Sequence, residues 1–226
     1  MQSEGERFLV SGFHSRGALP HIKKEGASYF VTFRLAGTLP KNVLLQFKAE
    51  REAIIANALA ARRPLTWREQ QELFTWYSTR VDKYLDSGYG ECWLKRADLA
   101  EMVADAIRFH QGQRFILHAW VVMPNHVHAV LRPLRAWTLS EILKSWKGFS
   151  ARKINARLKR VGKTFWQGES YDHVIRHENE SHERCHYTHM NPVNAGLCKR
   201  PEDWKWSGMY GGNGDTPLGF NSTGLS

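Results

Sequence analysis

The feature that most constrains the fold is a nearly continuous apolar run, followed by a tight turn and a second apolar segment. The run covers residues 115–123 (Phe-Ile-Leu-His-Ala-Trp-Val-Val-Met), and the second segment covers residues 126–131 (His-Val-His-Ala-Val-Leu). Successive apolar positions over this length are typical of a strand buried on both faces. Because Pro124-Asn125 leaves only a short turn between them, we predict that the two segments pair as an antiparallel hairpin.

The second strand of this hairpin carries two histidines, His126 and His128. Alternate side chains of a strand share a face, so both imidazoles can bind one divalent cation. With 11 histidines in 226 residues, an HxH triplet arises by chance about 0.5 times per chain. The spacing alone therefore leaves open a strand with two polar residues on its solvent face. The rigid setting of a hairpin favours the metal pair.

The rest of the chain alternates between strand-like and helix-like patterns. We predict strands at residues 29–35 and 172–176. We predict helices from Asn42 to about Arg62, around residues 99–107, and from Glu178 to about Asn191, where Pro192 stops or kinks the helix. Two more helices begin at capping boxes: one runs from Thr66-Trp-Arg-Glu69 to Gly88, and the other from Thr138-Leu-Ser-Glu141 to about Leu158. Residues 1–226 are predicted to form one domain, with a helical insertion at about 42–90 and a flexible, glycine-rich tail at about 211–226.

The charge balance favours a polyanionic partner. Lys and Arg outnumber Asp and Glu by 32 to 22, which gives a formal net charge of +10. The three cysteines lie far apart and form no CxxC pair, so we expect neither a disulfide framework nor a four-cysteine zinc site. Because no apolar run reaches about 18 residues, we expect no membrane partner and a cytoplasmic, nucleoid-associated protein.

One predicted helix concentrates the positive charge. The stretch after Thr138 holds seven basic residues and a single acid, Glu141: Lys144, Lys147, Arg152, Lys153, Arg157, Lys159 and Arg160. A solvated helix face would explain such a pattern. The local excess of charge favours a helix that contacts DNA phosphates.

A competing metal motif lies in the last predicted helix. His182-Glu-Arg-Cys-His186 satisfies HExxH, in which two histidines one helical turn apart bind zinc beside a catalytic glutamate. A catalytic zinc requires a third protein ligand, and Pro192 stands where the extended motif would place a histidine. A zinc metalloprotease therefore stays an alternative that the sequence disfavours.

Tyr187 and Asn191 form a second constellation, four residues apart on one face of the same helix. A tyrosine hydroxyl beside a divalent metal can attack a phosphodiester. Asn191 offers an oxygen ligand that suits Mg²⁺ or Mn²⁺ better than zinc. Taken singly, Tyr187 is also compatible with an ordinary half-buried aromatic, and Asn191 with a turn residue before proline.

An ordered series of motifs resembles a known family. The series runs Ser15-Arg-Gly-Ala-Leu-Pro-His21, Tyr29-Phe-Val-Thr-Phe-Arg-Leu35, Trp120-Val-Val-Met-Pro-Asn-His-Val-His128, Phe165-Trp-Gln167, Asp172-His-Val-Ile-Arg176, Tyr187-Thr-His-Met-Asn-Pro-Val193, Ala195-Gly-Leu197 and Trp204-Lys-Trp-Ser207. Over about residues 13–210 the chain resembles the REP-associated tyrosine transposases, IS200-like members of the HUH endonuclease superfamily.

The resemblance implies an α+β fold: a ferredoxin-like antiparallel sheet with helices packed on one side. It implies that His126 and His128 bind the divalent metal, that Asn191 is its third ligand and that Tyr187 is the catalytic nucleophile. It further implies nicking and rejoining of single-stranded DNA beside a palindromic hairpin through a 5′-phosphotyrosine. The expected partner is thus single-stranded or hairpin DNA, bound by a monomer rather than a dimer and without a small-molecule cofactor.

The chain departs from the family pattern around the tyrosine. Cys185 and His186 are unusual before Tyr187, and Gly168-Glu-Ser170 stands where an aromatic residue or arginine is more familiar. Tyr171 is a rival nucleophile that lacks a ligand partner four residues later. A DNA-hairpin binding protein without catalysis is the main alternative function.

Overall fold

The computed structural model describes residues 13–16, 19–22, 26–63, 65–76 and 80–210. The strands are β1 (Phe13–Arg16), β2 (Leu19–Ile22), β3 (Ser28–Arg34), β4 (Phe115–Val122), β5 (His126–Pro133), β6 (Tyr171–Ile175) and β7 (Ser207–Met209). The helices are α1 (Lys41–Ala60), α2 (Trp67–Trp76), α3 (Asp82–Asp86), α4 (Ala97–Arg108), α5 (Leu139–Arg157) and α6 (Glu178–Asn194).

Five strands form the central sheet in the order β6-β3-β5-β4-β7, and each neighbouring pair is antiparallel. From β3 to β6 the chain runs β-α-β-β-α-β, with α4 and α5 as the two crossover helices. This is the ferredoxin-like arrangement, with β7 added at one edge. The predicted α+β fold and the predicted β4–β5 hairpin are confirmed.

The two faces of the sheet are covered differently. On the α4–α5 face, Val31, Phe33, Val127 and Ala129 pack into an apolar core with residues of both helices, among them Trp146. This is the predicted helical side. The opposite face, here called the α6 face, carries a smaller cluster. That cluster includes Phe30 and Val130 of the sheet, Leu85 of α3 and Cys185 of α6.

Local sequence signals placed most elements well. Both predicted capping boxes form, because Thr66 and Thr138 accept from the backbone of Glu69 and Glu141 while those carboxylates accept in return. The small β1–β2 hairpin was not predicted. None of the described helices is long and apolar enough to cross a membrane. The predicted tail at 211–226 lies outside the described residues.

The helix predicted from Thr66 to Gly88 corresponds to α2, which is described as far as Trp76, and to α3, which begins at Asp82; residues 77–79 between them lie outside the described residues. The predicted end of the last helix at about Asn191 was wrong. Helix α6 passes through Pro192 and ends at Asn194. Proline removes one helix hydrogen bond and its ring crowds the preceding turn, but the hydrogen-bond ladder resumes after it, with the Ala195 N–H donating to the Asn191 carbonyl at 2.9 Å.

Helices α1 to α3 lie in the segment that we predicted to be a helical insertion. At the end of this segment, Gly90 packs closely against Gly37 and Thr38, which follow β3. Gly90 has φ +78°, and a Cβ at this position would lie 2.4 Å from the Gly37 carbonyl oxygen and 2.9 Å from Thr38 Cα. The loop after α3 can approach the end of β3 this closely only without a side chain.

We therefore expect Gly90→Ala to destabilise the protein more than backbone strain alone would. Gly112→Ala is the matched control, since Gly112 has φ +75° and no atom lies within 4 Å of the place that a Cβ would take there. The control should cost about 1–2 kcal/mol in the free energy of unfolding, and Gly90→Ala clearly more, as measured by urea denaturation. Equal losses would show that the close approach adds nothing.

Candidate active site

His126 and His128 point from β5 into the α6 face, and both side chains are fully buried (0% exposed). Their Nε2 atoms converge to 3.0 Å, and their ring centroids lie 4.6 Å apart. The alternative of two polar residues on a solvent face is therefore wrong. The convergence of two imidazole nitrogens on one point is the arrangement that a shared cation requires.

Asn125, in the hairpin turn, fixes the tautomer of His126. Its Nδ2 donates to the carbonyls of Leu85 (3.0 Å) and Tyr89 (3.3 Å). Its Oδ1, which can only accept, lies 2.7 Å from His126 Nδ1. His126 must therefore carry its proton on Nδ1, which leaves the Nε2 lone pair directed at His128.

Thr32 plays the corresponding part for His128, because its Oγ1 lies 2.8 Å from His128 Nδ1. Without a cation, His128 donates from Nε2 to His126, and Thr32 donates to Nδ1. A threonine hydroxyl can also accept, so His128 can shift its proton to Nδ1 and present a second Nε2 lone pair. Phe30 stacks on the His128 ring at 5.4 Å and holds its orientation.

Burial keeps both imidazoles neutral. Burial lowers the pKa of His128 to about 3. Burial also lowers the pKa of His126 well below its usual range, and the neighbouring His128 adds to this, whereas the side chain of Asn191 acts in the opposite direction. Neutral imidazole is the form that binds metal ions.

Tyr187 approaches the pair from α6. Its ring lies 5.5 Å from the His128 ring and 5.9 Å from the Phe30 ring, edge-on in both cases. Its hydroxyl donates to Asp82 Oδ2 at 2.5 Å. Tyr187 is only partly buried, so a side chain that contacts the His128 ring also reaches solvent.

Two oxygen atoms near His126 could complete a cation site. Asn191, 1% exposed, has its side chain close enough to His126 to oppose the lowering of that pKa, and its buried Oδ1 has no other hydrogen-bond partner among the described residues. Asp86 Oδ1 is also buried without a hydrogen-bond partner among these residues, and it lies 3.8 Å from His126 Nε2. No three His, Cys, Asp or Glu side chains within the described ranges gather closely enough to hold a metal. A site here would therefore use the Asn191 amide or a small movement of Asp86.

The start of α6 is anchored to the sheet by a buried hydrogen bond. Glu180 Oε1 lies 2.7 Å from His173 Nε2 of β6, and Glu180 Oε2 accepts from the Arg176 backbone N–H. Burial alone would raise the pKa of Glu180, but the hydrogen bonds from His173 and Arg176 leave it lowered. Because this anchor lies two turns before Tyr187, it sets the position of the tyrosine over β5.

The seven basic residues of the α5 region lie on the other face of the sheet from Tyr187, since α5 packs against the α4–α5 face. Lys147 is half-buried and donates to the carbonyls of Gln167 and Gly168. Arg157 pairs with Asp98 at 3.3 Å, and the Arg160 guanidinium lies over the Trp93 ring. The remaining four, Lys144, Arg152, Lys153 and Lys159, are exposed.

The rival residues are placed less favourably. His182, Glu183 and His186 of the HExxH motif are all exposed on α6, and the structure gives the zinc metalloprotease no support. Tyr171, the rival nucleophile, is only 6% exposed and packs in the apolar cluster of the α6 face.

Sequence reasoning missed four residues of the site: Thr32, Asn125, Asp82 and Asp86. Asn125 directly precedes the histidine pair, and Thr32 alternates with Phe30 on a predicted strand, so both carried a local signal. Asp82 and Asp86 are four apart on one helix face, but nothing local connects this pair to β5.

Comparison with known proteins relates part of the chain to transposases. Residues 93–186 match a family model described as "Transposase IS200 like". Over 109 residues the chain is 29% identical to the REP-associated tyrosine transposase of Escherichia coli (strain K12), a match that covers 46% of this chain and 60% of that protein. The predicted resemblance is confirmed: residues 93–186 are similar to the IS200-like transposases. Tyr187 and Asn191 lie just beyond this range.

Two solved structures are similar at low sequence identity. A REP-associated tyrosine transposase bound to a REP hairpin has 16% identity and a TM-score of 0.48, with 86% of this chain and 80% of that chain covered. A transposase described as putative, from Deinococcus radiodurans R1, has 13% identity and a TM-score of 0.37, with 76% and 92% covered.

The buried histidines predict a specific pH dependence of stability in metal-free protein. Because the pKa of His128 is lowered in the folded state, only the unfolded chain takes up its proton as the pH falls below about 6.5, and stability is lost in that direction. Between pH 7.5 and pH 5, wild-type protein should lose about 2 kcal/mol more than His128→Asn. Urea denaturation with a chelator present measures this difference.

The exposed His182 provides the control for that comparison. His182→Asn should show the same loss of unfolding free energy as wild type over this pH range. If His128→Asn also behaved as wild type, His128 would not be held neutral in the folded protein.

Proposed function

We propose that this protein is a metal-dependent endonuclease and transposase that nicks and rejoins single-stranded DNA beside hairpins, with Tyr187 as the nucleophile. The observation that carries the proposal lies on the α6 face. There the Tyr187 ring lies 5.5 Å from the His128 ring, and His128 Nε2 lies 3.0 Å from His126 Nε2. The match to IS200-like transposases over residues 93–186 supports the same class of reaction.

The proposed cofactor is Mg²⁺ or Mn²⁺, bound by His126, His128 and Asn191. The buried Oδ1 of Asn191 and the two neutral imidazoles fit such an ion, and Asp86 could add a carboxylate. When bound, the ion would polarise the scissile phosphate and stabilise the charge that develops on it. An amide or carboxylate oxygen beside two nitrogens favours these harder cations over a zinc site of cysteines and histidines.

In the proposed reaction the Tyr187 oxygen attacks the phosphorus and displaces the 3′ oxygen of the DNA. The strand is left with a 5′-phosphotyrosine on the protein and a free 3′-hydroxyl. Because one phosphodiester replaces another, attack by a 3′-hydroxyl can reverse the step and rejoin DNA without an external energy source.

We further propose that Lys144, Lys147, Arg152, Lys153, Arg157, Lys159 and Arg160 contact the DNA backbone. Since these residues and Tyr187 lie on opposite faces of the sheet, the substrate would have to reach around its edge. A DNA hairpin with a single-stranded extension could contact both faces at once, with its duplex on one face and its extension on the other. A short single strand could contact only one face. Because their side chains are exposed, Lys144, Arg152 and Lys159 are best placed for phosphates.

One chain contains every group of the proposed reaction. Tyr187 and the histidine pair come from the same molecule, which supports a monomer as the active unit and a single domain as its structural basis.

The affinity for Mn²⁺ tests whether the pair His126 and His128 or the HExxH motif at His182 binds the metal. We expect His128→Ala to lower Mn²⁺ affinity by at least about 100-fold, because it removes one of two convergent nitrogens. His182→Ala should bind Mn²⁺ as wild type does, because that side chain is exposed. Isothermal titration of metal-free protein measures both. Loss of the ion in His182→Ala with retention in His128→Ala would reverse the assignment.

A DNA-nicking assay tests whether Tyr187 is the nucleophile. Tyr187→Phe should abolish the covalent adduct on a hairpin DNA with a single-stranded extension, while binding persists, because only the attacking oxygen is removed. Tyr171→Phe is the matched control and should still form the adduct. Denaturing gels with labelled DNA detect both products. An adduct in Tyr187→Phe would overturn the assignment, and binding without nicking by wild-type protein would favour the alternative of a DNA-binding protein without catalysis.

A further inference from the structure

A buried carboxylate from the helical insertion lies against the proposed nucleophile. Asp82 is 3% exposed, and its Oδ2 accepts the Tyr187 hydroxyl at 2.5 Å across 105 residues of chain. Its other oxygen, Oδ1, is buried without a hydrogen-bond partner. Asp82 lies outside the region matched by the transposase family model, which begins at residue 93.

We propose that Asp82 is a catalytic residue of this enzyme: the proton acceptor that converts the Tyr187 hydroxyl into the attacking phenolate and returns the proton when DNA is rejoined. The inference rests on the proposed function of Tyr187. A tyrosine hydroxyl is a weak nucleophile at neutral pH because its pKa is about 10, so a base within hydrogen-bond distance is the group this site requires.

Protons and bonds balance in both directions of the step. The Tyr187 O–H bond breaks as its proton passes to Asp82 Oδ2, the Tyr187 oxygen bonds to phosphorus, and the bond from phosphorus to the 3′ oxygen breaks. The departing 3′ oxygen takes a proton from water. On rejoining, a 3′-hydroxyl loses its proton to solvent and attacks phosphorus, and Asp82 returns its proton to the Tyr187 oxygen as that bond breaks.

The surroundings suit a group that must both take and return a proton. Burial raises the pKa of Asp82 to about 8, Asp86 on the same helix adds to this, and the hydrogen bond from Tyr187 opposes it. A base whose pKa lies near the working pH transfers protons efficiently in both directions. Four other charged or titratable groups lie around this pair. His126 and His128 face it from β5 in neutral form, burial raises the pKa of Asp86 on α3 to about 6, and the Arg184 guanidinium on α6 interacts electrostatically with Tyr187.

The backbone holds Asp82 in place independently of Tyr187. The carbonyl of Leu85, in the same helix, accepts from the Asn125 side chain, so α3 is attached to the turn that carries His126. The carboxylate, the tyrosine and the metal pair therefore sit on three elements that contact one another directly.

The test compares Asp82→Asn with wild type. Asparagine can still accept the tyrosine hydrogen bond but cannot take its proton, so a merely structural role would survive the change. We expect nicking to fall by about 10²–10⁴-fold, with DNA and Mn²⁺ affinity unchanged, and the rise of the wild-type rate through about pH 8 to disappear. Glu91→Gln, an exposed carboxylate-to-amide change in the same region, should nick as wild type.

A measurement without DNA separates this inference from the proposed function. In protein labelled with ¹³C at the tyrosine Cζ, the Tyr187 resonance, identified by its loss in Tyr187→Phe, should show an inflection near pH 8 that is absent in Asp82→Asn. A Tyr187 resonance insensitive to Asp82→Asn, or nicking by Asp82→Asn at the wild-type rate and pH dependence, would overturn the proposal. If wild-type protein formed no adduct while the inflection remained, the nicking function would fail and the catalytic step with it, although the contact would stand.

Discussion

The site depends on the side chain of Asn125. Its amide nitrogen ties the hairpin turn to the Leu85 and Tyr89 carbonyls of the insertion, and its oxygen sets the proton on His126. One residue thus fixes the turn, the docking of α3 and the direction of the His126 Nε2 lone pair. The nitrogen of an asparagine amide can only donate and its oxygen can only accept. Because the Asn125 nitrogen donates to two carbonyls, its oxygen must be the atom that accepts from His126.

The alternation of side chains along β5 separates the residues that form the apolar core from the residues of the candidate site. Val127, Ala129 and Leu131 point into the apolar core of the α4–α5 face, while His126 and His128 point the other way. A shift of β5 by one residue would move the histidines into that core and the apolar set onto the α6 face. The apolar partner strand and the two crossover helices therefore keep the register, and through the register they keep the histidine pair on the α6 face.

The sequence allowed prediction of those parts of the site whose signals are local. The hairpin, the HxH alternation and the spacing of Tyr187 and Asn191 follow from short-range periodicity. The burial of the histidine pair did not, because alternation is the same for an inward and an outward face. Asp82 could not be predicted either, since its partner lies 105 residues away and the contact exists only once α3 packs beneath α6. The continuation of α6 through Pro192 was also not predicted. The helix ends only two residues later, at Asn194, so the proline disturbs few backbone hydrogen bonds there.

The concentration of buried polar groups on the α6 face is itself an argument for function. Asp82, His126, His128 and Asn191 are all nearly inaccessible to solvent, and desolvating such groups opposes folding unless each finds a partner. Thr32 and Asn125 compensate the histidines, but one carboxylate oxygen each of Asp82 and Asp86 has no hydrogen-bond partner among the described residues. A purely structural core of this size would gain stability by replacing these groups with apolar ones. Their retention around a reachable tyrosine is what a site that handles a cation and a proton requires.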